Sequence, residues 1–231
     1  MRLSFTILMV AIISLLLISA NAILVKFEVN FIDNKFINNL LKYQIFAFVI
    51  ATITFLISVK YTPESKFLLG IGKLENMAHR ERWMGISGND TWKKEGTKLL
   101  FFISLATGIF MFLAVKYTNS LQNFKLYFVP WILLFSFFNS FSEEIIYRVA
   151  VNGNLMNYVP KFQVLIVSAI LFGLPHYQGY PNGVMGVIMA SILGYVLSKV
   201  TYETEGIGMA WTIHFVQDII IFTALLMMNL K

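Results

Sequence analysis

No cysteine occurs anywhere in the chain. Disulfides, thiolate nucleophiles and cysteine metal sites are therefore excluded, and cysteine usage says nothing about the redox compartment. Charge is scarce as well. Only 13% of the residues are Asp, Glu, Lys or Arg, where a soluble domain carries about a quarter. The chain holds 5 prolines and 3 histidines, so each of these is worth locating. It has no His-Glu-x-x-His sequence of the soluble zinc-protease kind and no visible repeat or low-complexity tract. What fills the space is apolar: 58% of the residues. That excludes an ordinary soluble domain and implies an all-α, polytopic transmembrane helix bundle. The net charge of +6 does not call for nucleic acid, because Lys and Arg in such a chain report topology first.

Seven spans are expected, at about 20 residues per crossing. They are Phe5 to Val25, Leu40 to Val59, Leu99 to Val115, Tyr127 to Val151, Gln163 to His176, Gly183 to Val200 and Gly206 to Leu230. The first has a rival reading as a signal peptide cleaved near Ala20-Asn-Ala22, but the many later spans favour an uncleaved first span. Asn152-Gly-Asn154 is expected to end the fourth, since Gly and Asn tolerate left-handed backbone. The sixth carries Gly186, Ala190 and Gly194, four apart, a stripe for close helix packing.

Between the second and third spans lies a polar segment with Lys60, Lys66, Lys73, Arg80, Arg82, Lys93, Lys94 and Lys98. It reads as a cytoplasmic loop in preference to a lipid-gripping surface helix built on Phe67, Leu68, Leu69, Ile71 and Leu74. Seven spans then put Arg2, these eight residues, Arg148, Lys161 and Lys199 inside. Lys26, Lys35, Lys42, Lys116, Lys125 and Lys231 fall outside. The amino terminus is therefore expected in the cytoplasm.

The polar residues within the spans form three groups. The first is Glu143, Glu144 and Arg148. A charged residue in the bilayer costs roughly 2.5–3.5 kcal/mol on insertion scales. Glu144 and Arg148, four apart, share a helix face and can pair. Glu143 lies about 100° round the helix, on a seam with Ser136, Asn139 and Tyr147, and is a functional candidate. The second group is His176, with Phe172 and Ser168 at one-turn spacings before it. The third is His214 with Asp218, again four apart. His79, among charges in the basic segment, is expected to be solvated.

A carboxylate and an imidazole beside a buried water can remove its proton and make a nucleophile. A second histidine with a carboxyl or amide group can steady an oxyanion. Two histidines and a glutamate can also hold catalytic zinc.

In this order on successive spans, Glu143-Glu-x-x-x-Arg148, Phe172-x-x-x-His176 and His214-x-x-x-Asp218 resemble the CPBP family of intramembrane proteases. That family includes the CAAX prenyl endopeptidases of the Rce1 type and bacterial abortive-infection and bacteriocin-immunity membrane proteins. The resemblance covers Tyr127 to Leu230. It implies a general base at Glu143, a water-activating histidine at His176, and oxyanion or metal roles for His214 and Asp218. Glu144, Arg148 and Asn139 then support these. Zinc held by Glu143, His176, His214 and Asp218 and a metal-free activated water both stay open. Many members carry Gly where this chain has Val149, and Asn where it has Asp218. A second carboxylate beside Glu143 would favour a shared proton or a bound cation.

On this reading, residues 127–231 are a catalytic transmembrane core. Residues 1–126 are amino-terminal helices with a basic loop, the whole forming one integrated domain. The expected protein is an intramembrane endopeptidase of a bacterial cell membrane, acting on a membrane-bound peptide or protein in a mid-depth cavity open to the cytoplasm. No nucleic-acid partner is expected. The alternatives are a non-catalytic regulator binding another membrane protein through the Gly186, Ala190, Gly194 stripe, and an ion-coupled transporter. The absence of a two-fold repeat of broken helices disfavours the transporter.

Overall fold

The computed structural model describes residues 2–24, 26–27 and 31–229. Val25, Leu230 and Lys231, which bound expected spans or entered the charge bias, lie outside them. The described residues form helices α1 (Arg2–Leu24), α2 (Lys35–Tyr61), α3 (Trp92–Tyr117), α4 (Val129–Glu144), α5 (Val151–Leu155), α6 (Lys161–Gly173), α7 (Gly183–Thr204) and α8 (Gly208–Asn229). A π-helical turn, Ile145–Ala150, joins α4 to α5 without a break, and a 3₁₀ turn, Leu174–Gln178, extends α6. The seven expected spans are thus seven helical columns. Five are long and apolar enough to cross a membrane: α2, α3, α7, α8 and, within α1, Leu3–Ala20. Large apolar side chains lie exposed along them, among them Leu8, Leu15, Leu56, Phe102 and Leu113. A lipid-facing bundle needs no other cover for them.

The fourth column does not stop at Asn152-Gly-Asn154. Both asparagines are buried and engaged elsewhere. Asn152 donates to the Ser198 carbonyl at 3.0 Å and accepts from the Ser198 hydroxyl at 2.9 Å. Asn154 reaches the Ser58 hydroxyl at 3.4 Å. A Cβ on Gly153 would stand 2.5 Å from the Ser65 Cβ. Tertiary partners override the local tendency of these residues to end a helix, and the turn becomes a packing surface.

The small-residue stripe of α7 faces inward. A Cβ on Gly194 would lie 2.9 Å from the Phe172 ring, and one on Gly186 only 2.6 Å from the His176 carbonyl oxygen. The stripe lets α7 approach α6 and its 3₁₀ extension closely enough to hold Phe172 and His176 in place. It is covered by the chain itself.

The basic segment is an ordered cap at one end of the bundle. Leu68 is buried under it, while Phe67, Leu69 and Ile71 are exposed on and just after a 3₁₀ turn, Pro63–Leu69. The cap is pinned to the α7–α8 turn. The Ile207 amide donates to the Leu68 carbonyl and the Lys73 amide to that of Thr204. Gly72, at φ +83°, crosses Gly206 so closely that a Cβ would collide with its backbone. Buried Glu203 collects the rest. It accepts from the His79 amide at 2.9 Å and the Trp92 indole at 3.0 Å, and it pairs with Lys161 and Lys199. His79 itself is exposed, with Nδ1 3.4 Å from Glu203.

Candidate active site

Helix α4 brings Glu143 and Glu144 to its inner end, and α8 presents His214 and Asp218 to them. All four are buried. The expected Glu144–Arg148 pair is present, Oε2 to Nε at 3.3 Å, with both side chains fully buried. The other Glu144 oxygen, Oε1, lies 2.8 Å from His214 Nδ1. An ionised carboxylate only accepts, so Nδ1 carries the proton and the ring is oriented by Glu144. Its far nitrogen, Nε2, then faces Glu143 Oε2 at 3.4 Å and Asp218 Oδ2 at 3.9 Å. Glu143 Oε2 makes no hydrogen bond. Arg148, Glu144, His214 and Glu143 thus run as one line through the centre of the bundle.

His176 sits on the 3₁₀ extension of α6. Its Nδ1 is 2.9 Å from the Phe172 carbonyl oxygen. A carbonyl has no proton to give, so Nδ1–H donates, and in the neutral ring Nε2 is the basic nitrogen. The Phe172 ring joins all three sequence groups. It lies 4.8 Å from the His176 ring, 5.5 Å from that of His214 and 4.4 Å from the Arg148 guanidinium. A cation over an aromatic face gains roughly 0.5–2 kcal/mol. Ser168, one turn before Phe172, donates to the Tyr147 carbonyl at 2.8 Å, and the Tyr147 hydroxyl lies 3.3 Å from that of Ser14 on α1. Tyr147 is thereby tied to α1 and α6.

Two cavities meet at these residues. The more polar one, of about 630 Å³, is lined by Glu143, Asn139, His176 and Asp218 together with Tyr43 and Gln44 of α2. Its lining runs on to Leu24, Asn39, Lys42, Gln178 and Leu225, at the end of the bundle away from the basic cap. The cap at the other end is tied down through Glu203 and Gly72. The second cavity, of about 520 Å³, is an apolar groove between α3 and α7. It runs from Trp83 and Met84 to Tyr180 and Pro181, with His176, His214 and Asp218 at its floor.

Several site residues were not legible beforehand. Gln44 Nε2 reaches Asn139 Oδ1 at 3.4 Å, and Asn139 Nδ2 donates to Asp218 Oδ2 at 3.1 Å, so α2 helps to orient that carboxylate. Gln217 of α8 donates to the Ser104 hydroxyl of α3 at 3.0 Å and lines the apolar groove. The one available signal was a lone amide in an otherwise apolar span, the sort of group expected to find a partner within the bundle.

The four residues named for zinc do not fit a metal in this arrangement. Among the described residues no group of three or more His, Asp or Glu stands so as to hold an ion.

Residues 125–220 match the family model of the Rce1-like type II CAAX prenyl endopeptidases. The Rce1-like stretch begins just before α4 and ends within α8, so it contains Glu143, Glu144, Arg148, His176, His214 and Asp218. Helices α1 to α3, with Tyr43, Gln44 and Ser104, lie outside it. At the coarse level the match supports a protease of the CAAX type that is an integral membrane protein, in accord with the apolar helices. No curated protein and no solved structure matches the chain.

Proposed function

We propose that the protein is an intramembrane endopeptidase in which Glu143 and His176 activate a water against a peptide bond of a membrane-embedded substrate. The observation that carries this reading is the pairing in one cavity of a carboxylate oxygen without a hydrogen bond, Glu143 Oε2, and an imidazole whose free nitrogen is a base, His176 Nε2. Glu143 takes the proton of the water, and the hydroxide attacks the scissile carbonyl carbon. The resulting oxyanion receives a hydrogen bond from His214 Nε2–H when that ring is protonated, its other nitrogen being held by Glu144. Collapse breaks the C–N bond, and Glu143 returns the proton to the leaving amine. No step passes through a metal, and activity is expected to persist with a strong zinc chelator present.

Plausible substrates are a peptide pheromone precursor, a bacteriocin-related peptide or a small membrane protein. A bacterial cell membrane is the proposed setting, with the amino terminus and the basic cap on the cytoplasmic side. The deciding experiment compares the peptides in membranes of cells carrying the natural chain or Glu143→Gln at matched protein level. Products that vanish in the variant support the reading. An unchanged peptide set, with the phenotype of a deletion rescued by both, overturns it in favour of a regulator. Gly186→Leu no longer separates those two readings, because the stripe packs inside the protein.

A further inference from the structure

The basic cap divides its own cations into two sets. Lys73 pairs with Glu205, Lys93 with Glu75, and Lys94 and Lys98 with Asp90. Among the described residues Lys60, Lys66, Arg80 and Arg82 make no ion pair, and all four are exposed. Three of these stand directly before an exposed ring: Lys60-Tyr61, Lys66-Phe67 and Arg82-Trp83. The rings are 56%, 70% and 56% exposed. None of the paired lysines precedes an aromatic residue. A large ring left in water forfeits the gain of burial, and an unpaired cation beside it calls for a partner both apolar and anionic.

The fold sets these pairs at the edge of the bilayer. Tyr61 is the last residue of α2. The 27 residues of that helix measure about 40 Å, against about 30 Å of hydrocarbon, so its end reaches the headgroup layer. The turn carrying Lys66 and Phe67 follows at once, with Lys66 Nζ 5.3 Å from the centre of the Phe67 ring. The third pair sits at the tip of a hairpin. Glu81 and Ile86 exchange backbone hydrogen bonds at 3.0 and 3.1 Å, and Gly85 turns the chain at φ +75° with open space around it. The Trp83 ring packs on that of Tyr195, centroids 5.4 Å apart. Tyr195 is nine residues before the end of α7 at Thr204, about 13 Å along the helix. The tip therefore hangs down the flank of the bundle, where Trp83 shares one groove with the exposed Phe102 and Ile192. Two carboxylates lie close in sequence. Glu81 accepts from the Tyr195 hydroxyl at 3.2 Å, and Glu64 is exposed.

We propose that the three cation–aromatic pairs, with Arg80, are a docking surface for anionic phospholipid. The phosphates lie against Lys60, Lys66, Arg80 and Arg82. Tyr61, Phe67 and Trp83 enter the glycerol and upper acyl layer, where such rings are favoured. The long Lys and Arg stems keep the charge at the headgroups while the neighbouring ring goes deeper. The surface lies apart from the reacting residues and does not rest on the protease reading. Phe67 directly precedes Leu68, whose carbonyl holds the Ile207 amide of the α7–α8 turn. Lipid bound here therefore steadies the cap on α7 and α8, and the lipid composition of the membrane sets how firmly.

The test uses the purified full chain in detergent, with graded additions of phosphatidylglycerol or phosphatidylcholine, and counts the lipids retained per molecule by native mass spectrometry. Phosphatidylglycerol is expected to be retained in preference, to raise the melting temperature, and to be released as salt rises. Each cation at an anionic surface contributes about fivefold to binding. Lys60→Gln, Lys66→Gln, Arg80→Gln and Arg82→Gln combined should therefore remove most of the bound phosphatidylglycerol and the stabilisation it brings. The charge-matched set, Lys73→Gln, Lys93→Gln, Lys94→Gln and Lys98→Gln, should leave most of it in place. Brominated phosphatidylglycerol should quench tryptophan emission, and Trp83→Phe should remove part of that quenching. Equal retention of the two lipids by the natural chain overturns the proposal, since no anionic charge is then being read. Equal loss from the two four-residue variants overturns it as well, since only overall charge then matters. Should the first variant not accumulate, the natural chain decides: retention of phosphatidylglycerol that is indifferent to salt, or quenching unchanged by Trp83→Phe, sinks the proposal.

Discussion

Two buried acid–base clusters lie in this protein, and they are built in opposite ways. At the capped end, Glu203 is saturated: an amide, an indole and two lysines converge on one carboxylate. In the bundle centre, Arg148 is starved. It is fully buried beside a single carboxylate at 3.3 Å, and none of its three guanidinium nitrogens makes a hydrogen bond. Glu143 Oε2 is unbonded as well. Saturated polar networks rigidify a fold, whereas partly satisfied ones keep groups free to act. The first cluster holds the cap on α7 and α8. The second leaves Glu143 Oε2, Glu144 Oε2 and the Arg148 guanidinium without hydrogen bonds.

That contrast can be broken by mutation. Glu143→Gln should lower proteolysis by about 10²–10⁴-fold, the usual worth of a general base, with abundance and melting temperature unchanged, as quantified by membrane peptidomics. Glu203→Ala should do the reverse. It strands Lys199 in the interior, and removing one partner of a buried pair costs about 3–5 kcal/mol. Thermal unfolding in detergent should register this, while turnover per folded molecule stays near that of the natural chain.

Glu144→Gln removes the charge facing Arg148 and should lower abundance, whereas the double change with Arg148→Met should recover much of it without restoring activity. At Glu203 a matching double change with Lys199→Met should not recover stability, because Lys161, the Trp92 indole and the His79 amide would still lack their acceptor. Equal recovery at both clusters would erase the distinction drawn between them. The smallest effect is expected at the surface. Lys94 and Lys98 hold the Asp90 carboxyl below its usual range by hydrogen bonding. A depressed carboxylate stabilises only above its ordinary pKa, and that contribution fades as pH falls through the folded value. Asp90 is exposed to screening, so Asp90→Asn should leave the melting temperature at pH 7 unchanged.

The same contrast separates what the chain revealed from what it hid. Helical spacing made the Glu144–Arg148 pair legible, because partners four apart meet on any α-helix. It also placed Phe172 with His176 and His214 with Asp218. It could not bring Glu144 to His214, 70 positions away, or Gln44 to Asn139, since those approaches depend on which helices become neighbours. The stop expected at Asn152-Gly-Asn154 falls one residue later, after Leu155, because Ser198 and Ser58 supply these asparagines with partners that no local rule contains. The basic segment reads as a loop and folds as an ordered cap, because Glu203 and the α7–α8 turn, more than 100 positions away, supply its partners. The helix count was sound, since 58% apolar content in long runs leaves little else for the backbone to do.

The π-helical turn at Ile145–Ala150 has a further consequence. A π turn is one residue wider than an α turn and often marks a working site. It acts as a phase shifter within a single rod. Residues before it keep the angular setting that aims Glu143 and Glu144 at α8. Residues after it are offset by about 100°, the setting in which Asn152 meets Ser198 and Gly153 meets Ser65. Deleting one residue here would leave an unbroken, more regular helix whose two ends no longer agree on where their neighbours are.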